Sequence, residues 1–172
     1  SPVHEGHLEM MYKAKRKLED DGKYVVGGYI SPSHDDYVSE KRNGEASLNI
    51  YKRIDLLEKA VMDIDWLYID KWESCECRYE VNYTIVIERL QTYLNSYYKG
   101  FDIEVVFVYG SDNKVFGEVL EVSNKLNVCV LRNEDDILNN DLIYQYKVTD
   151  YILNVSSKYK RNKGLFVETD YN

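Results

Sequence analysis

The residues most able to do chemistry fall into short polar clusters, and the first of them opens the chain. His4 and His7 flank Glu5 and Gly6 just before an apolar helical pattern begins. A residue without Cβ at Gly6 lets backbone approach a phosphate closely, and the unpaired N–H groups of a helix start favour an anion. Two imidazoles there could donate hydrogen bonds to charge building on a phosphoryl group. A solvated surface turn reads equally well from these residues alone. So does a zinc site completed by His34 or Asp35.

Three further clusters each end an apolar run. Gly27-Gly28-Tyr29-Ile30-Ser31-Pro32-Ser33-His34-Asp35-Asp36-Tyr37 pairs two glycines with a polar turn. Glycines inside a strand mark close approach of a ligand or of other backbone. Asp70-Lys71-Trp72-Glu73-Ser74 sets an indole beside a carboxylate, a flat wall with a polar anchor for a heterocyclic base, or a capping core residue. Gly110-Ser111-Asp112 supplies a carboxylate suited to ribose hydroxyls or to a helix N-cap. Near the end, Val155-Ser156-Ser157-Lys158-Tyr159-Lys160-Arg161 combines two hydroxyls with three cations, as a triphosphate or a solvated helix would require.

The elements that must position these clusters alternate in period. Helical spacing runs through Leu8, Met11, Tyr12, Ala14 and Leu18 and stops at Asp21-Gly22. A strand over 24–30 follows, then a helix through Ile50, Ile54, Leu57 and Val61, and a strand over 66–70. Tyr79, Tyr83, Val86, Leu90, Tyr93 and Tyr97 mark a third helix closed by Gly100. Strands over 103–109 and 126–131 bracket a short helix over 115–122, residues 133–141 form a candidate mobile loop, and a strand over 151–155 leads into a helix at Ser156-Ser157. This alternation predicts an α/β fold: a Rossmann-like parallel sheet with helices on both faces. Ligands in such sheets bind beyond the carboxyl ends of the strands, where the clusters lie.

Composition narrows the function. The 172 residues suit one domain, and a net charge of −8 argues against general nucleic-acid binding. No apolar run spans a bilayer, so no membrane partner is expected and the chain reads as intracellular. The three cysteines, Cys75, Cys77 and Cys129, suggest reduced thiols; Cys75 and Cys77 would make half a metal clip with no second pair to complete it. The 17 tyrosines, spread along the chain, carry no functional signal.

In order and placement the clusters resemble the eukaryotic-type nicotinamide/nicotinate mononucleotide adenylyltransferases, within the HxGH nucleotidylyltransferases. Pro2-Val3-His4-Glu5-Gly6-His7 is similar to their Pro/His-x-Gly-His segment. Gly28 to Tyr37 is similar to their Gly-x-x-Ser-Pro-x-x-Asp-x-Tyr, and Asp65-Trp66 with Asp70-Lys71-Trp72-Glu73-Ser74 to their Trp-Glu-Ser region, followed by Thr84. Gly110-Ser111-Asp112 stands for a Gly-Ala-Asp turn, Val128-Cys129-Val130-Leu131-Arg132 for a Val-Cys-x-x-Arg strand, and residues 155–161 for the closing Ile-Ser-Ser-Thr-x-x-Arg.

The resemblance implies transfer of AMP from ATP to nicotinamide or nicotinate mononucleotide in a single domain over residues 1–172. It implies His4 and His7 as catalytic, and Gly6, Gly110, Asp112, Ser156, Ser157, Lys158 and Arg161 as ATP-binding. Lys41, Trp72, Glu73 and Thr84 would bind the mononucleotide. Mg²⁺ would travel with ATP, since no dedicated carboxylate cage is visible. The expected location is the cytoplasm, or the nucleus in a eukaryote, with homo-oligomers an open expectation.

Departures from the family pattern are specific. The numbering begins after the family's first strand and Gly-Ser-Phe turn, which implies residues upstream of Ser1. Lys158 replaces a Thr, and Lys41 is displaced from the family's Lys after Tyr37. Trp72 and Thr84 are further apart than usual. No second Trp follows Gly110, leaving Tyr109 or Phe116 as stacking substitutes. Two rivals stand beside this reading: a cytidylyl- or pantetheine-phosphate-type transferase, and a nucleotide-binding module without catalysis.

Overall fold

The computed structural model describes residues 5–36, 49–133, 136, 138 and 141–150. In chain order its main elements are α1 (Glu5–Asp20), β1 (Gly28–Ile30), α2 (Ile50–Val61), β2 (Leu67–Ile69), α3 (Tyr83–Tyr97), β3 (Phe107–Gly110), α4 (Val115–Val122), β4 (Asn127–Val130) and β5 (Gln145–Val148). Every strand pairing is parallel, and helices flank the strands, the expected mixed α/β architecture. The described strands form two sheets, β1-β2 and β3-β4-β5. They belong to two compact units, one holding residues 26–86 and the other residues 5–25 and 87–154.

In the first unit β1 pairs with β2 in the register Gly28↔Leu67, Tyr29↔Tyr68 and Ile30↔Ile69. The α2 helix packs on β2. Its start is fixed by Asn49, whose side chain accepts from the Lys52 N–H at 3.0 Å, an N-cap that satisfies one of the orphan donors. Ile50, Ile54, Leu57 and Val61 form its buried stripe, as their spacing predicts.

The second unit has its apolar core where α1 meets the sheet. Ala14 and Leu18 pack with Val128, Val130 and Val148, all nearly inaccessible. Burying such a side chain fully contributes roughly 1.5–3 kcal/mol. Strand side chains alternate between faces. Asn127, Cys129, Tyr109 and Gln145 therefore turn to the opposite face, where Gly117 of α4 lies beneath the Tyr109 hydroxyl and the Gln145 amide. Helices thus cover both faces of this sheet. The α1 helix stops where expected: Gly22 takes φ +84°, and the Lys23 N–H returns to the Leu18 carbonyl at 2.9 Å.

Several boundaries differ from the sequence expectations. The strand expected over 24–30 is confined to Gly28–Ile30; Tyr24 is 90% exposed, and the partner β2 is itself only three residues long. The strand expected from residue 103 begins at Phe107, because Asn95 and Gln91 of α3 take up the backbone of Ile103 and Val105 (2.7 and 2.9 Å). The third helix begins at Tyr83, where Asn82 accepts from the Thr84 N–H at 3.0 Å; Tyr79 lies outside it. Strand β5 was not anticipated, and the expected strand over 151–155 and its following helix lie outside the described residues. Among the described residues no helix is long and apolar enough to cross a membrane.

Candidate active site

In the first unit the turns following β1 and β2 converge. Ser31 and His34 lie after β1; Asp70, Trp72 and Glu73 follow β2, so all five come from the carboxyl edge of one parallel pair. Trp72–Glu76 is a single π-helical turn. Its entry is fixed by Asp70, a buried carboxylate that accepts the Trp72 N–H at 3.2 Å. Both Trp72 and Glu73 are half-buried.

Glu73 is held against the Ser31–His34 turn. Burial pushes its carboxyl above the ordinary value; a hydrogen bond from the His34 main chain, the nearby Ser31 hydroxyl and the charge of His34 oppose that rise, and the Asp70 charge adds to it. Ser31 Oγ is buried and makes no fully formed hydrogen bond, so its proximity to Glu73 is a weaker interaction than the His34 contact. The turn is anchored from below. Asp35 pairs with Arg53 of α2 at 2.6 Å, and its other oxygen accepts the Ile50 N–H at 3.3 Å. The arginine side chain is 2% exposed and the Asp35 side chain 42%, so a buried guanidinium reaches a carboxylate that stays open to water.

In the second unit the carboxyl ends of β3 and β4 meet around Gly110. A Cβ at Gly110 would stand 2.6 Å from both Arg132 Cδ and Asp112 Oδ1, so the missing side chain is what lets these two groups close over the strand end. Arg132 Nε lies 3.9 Å from Asp112 Oδ1, a loose ion pair with an exposed carboxylate. Buried Ser111 accepts the Arg132 N–H at 2.9 Å and donates to the Asp136 carboxylate. Lys13 of α1 donates to the Asp150 carbonyl at 3.1 Å, just beyond β5. That contact ties the middle of α1 to the residues following β5. Gly6 is buried and His7 half-buried in its first turn.

Of the residues named from sequence, the structure gathers Trp72 and Glu73 at one strand edge, and Gly110 and Asp112 at the other, with Gly6 and His7 at the start of α1. Thr84 has its hydroxyl committed to Asn82 Oδ1 at 2.8 Å, at the start of α3. His4, Lys41, Ser156, Ser157, Lys158 and Arg161 lie outside the described residues. Tyr109 is no stacking wall: it is 3% exposed and hydrogen-bonds Asn127 and Gln145, both at 2.7 Å. Phe116 packs edge-on against Phe107 and Tyr109.

Sequence reasoning named His34 only as a possible zinc ligand, carried Asp70 and Arg132 only as members of longer motifs, and passed over Asp136. Arg132 had a signal, since it closes the strand that matched a family motif; the facing of His34 on Glu73 and of Asp136 on Ser111 had none. The cysteines are all free thiols; burial pushes Cys129 up to about 11, which makes it inert. Among the described residues no group of three or more His, Cys, Asp or Glu side chains could hold a metal; His4, a member of the zinc alternative, lies outside them.

Parallel strands flanked by helices, with polar turns at their carboxyl ends, define the α/β class, and comparison with known proteins gives the family. The cytidylyltransferase-like family model matches residues 1–163, and the chain belongs to that family. It is similar to the nicotinamide/nicotinic acid mononucleotide adenylyltransferase of Arabidopsis thaliana, at 31% identity over 62% of this chain and 43% of that protein. The Oryza sativa protein of the same name is 32% identical over 62% of this chain and 41% of its own length. Nicotinamide/nicotinic acid mononucleotide adenylyltransferase 2 of Xenopus tropicalis is 29% identical over 50% of this chain and 27% of its own. The matched stretches span less than half the length of each of these relatives.

Proposed function

We propose that this chain carries the catalytic machinery of a nicotinamide or nicotinate mononucleotide adenylyltransferase, acting as one nucleotidylyltransferase domain. The mononucleotide phosphate attacks the α-phosphorus of ATP. A new O–P bond forms, the bond to the β-phosphate oxygen breaks, and the products are the dinucleotide and pyrophosphate. The attacking phosphate is mostly dianionic at neutral pH, its second pKa being about 6, so no general base is required. Positioning and charge stabilisation are the work left to the protein.

The observation that carries this reading is that each unit, taken by itself, sets its polar residues at the carboxyl ends of its parallel strands. An indole and a carboxylate, Trp72 and Glu73, end one parallel pair, and Gly110, Asp112 and Arg132 end the other. In this proposal Trp72 and Glu73 face the pyridine side of the mononucleotide, with Lys41 and Thr84 as further contacts, and Gly110 and Asp112 face the adenosine ribose. His7, with His4, donates to the phosphates as charge shifts, Gly6 admits them to the first turn of α1, and Ser156, Ser157, Lys158 and Arg161 hold the polyphosphate. Mg²⁺ would arrive bound to the triphosphate.

The test separates the two ligands. Trp72→Ala should raise KM for the mononucleotide about tenfold while changing KM for ATP less than twofold, the loss of one stacked ring being worth roughly 1–1.5 kcal/mol. An effect on ATP alone would reverse the assignment of the two ligands.

A further inference from the structure

The geometry points to Ser111 as a positioning residue for nucleotide binding: its buried hydroxyl clips the turn after β4 to the turn after β3, and so sets the opening between Asp112 and Arg132. The inference rests on the proposed reading that adenosine binds at Gly110 and Asp112.

Ser111 is 3% exposed, and its oxygen is used twice. It accepts the Arg132 N–H at 2.9 Å and donates its proton to Asp136 Oδ2. A hydroxyl can do both at once, and neither bond competes with the other. The first bond fixes the backbone that carries the Arg132 side chain, one residue past the Leu131 N–H bond to the Val148 carbonyl at 2.9 Å. The second is charge-assisted, the stronger kind, and draws in Asp136. Arg132 itself has little slack: its Cδ occupies the space a Cβ on Gly110 would need, and its Nε faces Asp112 at 3.9 Å. A shift in the Arg132 backbone would therefore move the guanidinium into the Gly110 opening or away from Asp112. Ser111 touches neither opening directly. It acts through Arg132 and Asp136.

Equilibrium binding of ATP to the full-length protein by calorimetry tests this in a double-mutant cycle. Ser111→Ala should weaken ATP about three- to tenfold, the scale of one ordinary hydrogen bond, because the loss reaches ATP only through Arg132 and Asp136. Asp136→Ala, a change at a half-buried position, should weaken it by a smaller factor in the same direction. The double variant should bind no more weakly than Ser111→Ala alone, because both act through one clip. Asp136→Asn, which keeps an acceptor, should stay within about twofold of wild type. Affinity for the mononucleotide should not change in any variant, which separates positioning from general destabilisation. Unchanged ATP affinity in both single variants, or effects that multiply in the double, would overturn the inference while leaving the nucleotide reading standing. Wild-type protein that binds no ATP would overturn that reading and the inference with it.

Discussion

At Glu73, burial raises the carboxyl pKa from its ordinary value of 4.5 while the His34 main chain and the Ser31 hydroxyl pull it down, and burial prevails. The folded state therefore favours the protonated form. Its contribution to stability is full below about pH 4.5 and is lost as pH rises through the raised value. Glu73→Gln imitates the protonated side chain permanently. It should leave the melting temperature unchanged near pH 4 and raise it at pH 7, by about 1–3 °C because the group is only half-buried. Thermal melts across that range check the sign. A wild type that gains on the variant as pH rises would mean that the hydrogen bonds outweigh burial. Trp72 and Glu73 were legible in the sequence because an indole beside a carboxylate at the end of an apolar run is a local pattern. That the Ser31–His34 turn closes on Glu73 was not legible, since it depends on β1 and β2 pairing in parallel across an intervening helix.

Between α4 and the β3-β4-β5 sheet, three polar side chains occupy a place usually left to apolar ones. Tyr109 donates to Asn127 and accepts from Gln145, and Asn127 in turn donates to the Lys125 carbonyl at 3.0 Å. A network of this kind fixes register because each member left unpaired would cost about 1–3 kcal/mol. Gly117 makes room for it: an added Cβ would collide with the Tyr109 hydroxyl and come within 2.7 Å of Gln145 Nε2. Gly117→Ala should therefore lower stability by about 1–3 kcal/mol in denaturant melts, as overpacking does. A change below about 0.5 kcal/mol, ordinary for a surface position, would show that the helix can lift off without breaking the network. Element types were readable from periodicity, and the stop of α1 from Asp21-Gly22. Strand ends were not, because they depend on distant partners. Asn95 and Gln91 bind the backbone of Ile103 and Val105 and delay β3, while the Glu121 carboxylate accepts the Ile143 and Tyr144 N–H groups (2.9 and 3.0 Å) and leads the chain into an unforeseen β5.

Across the whole molecule, the order of its polar clusters carried more information than any one of them. Each cluster had an ordinary structural explanation. Their succession matched one family, and the cytidylyltransferase-like match over residues 1–163 agrees with it. The most direct measurement of the proposed activity follows the α-phosphate of ATP. Purified full-length protein, given ATP labelled at that phosphorus together with nicotinamide or nicotinate mononucleotide, should move the label into a dinucleotide and release one pyrophosphate per transfer. His7→Ala should slow that transfer by about 10²–10³ without unfolding the protein, the usual scale for one lost donor to a developing oxyanion. Label that stays in ATP, or leaves it without entering a dinucleotide while the wild-type protein is folded and both ligands are present, would contradict the proposed transfer.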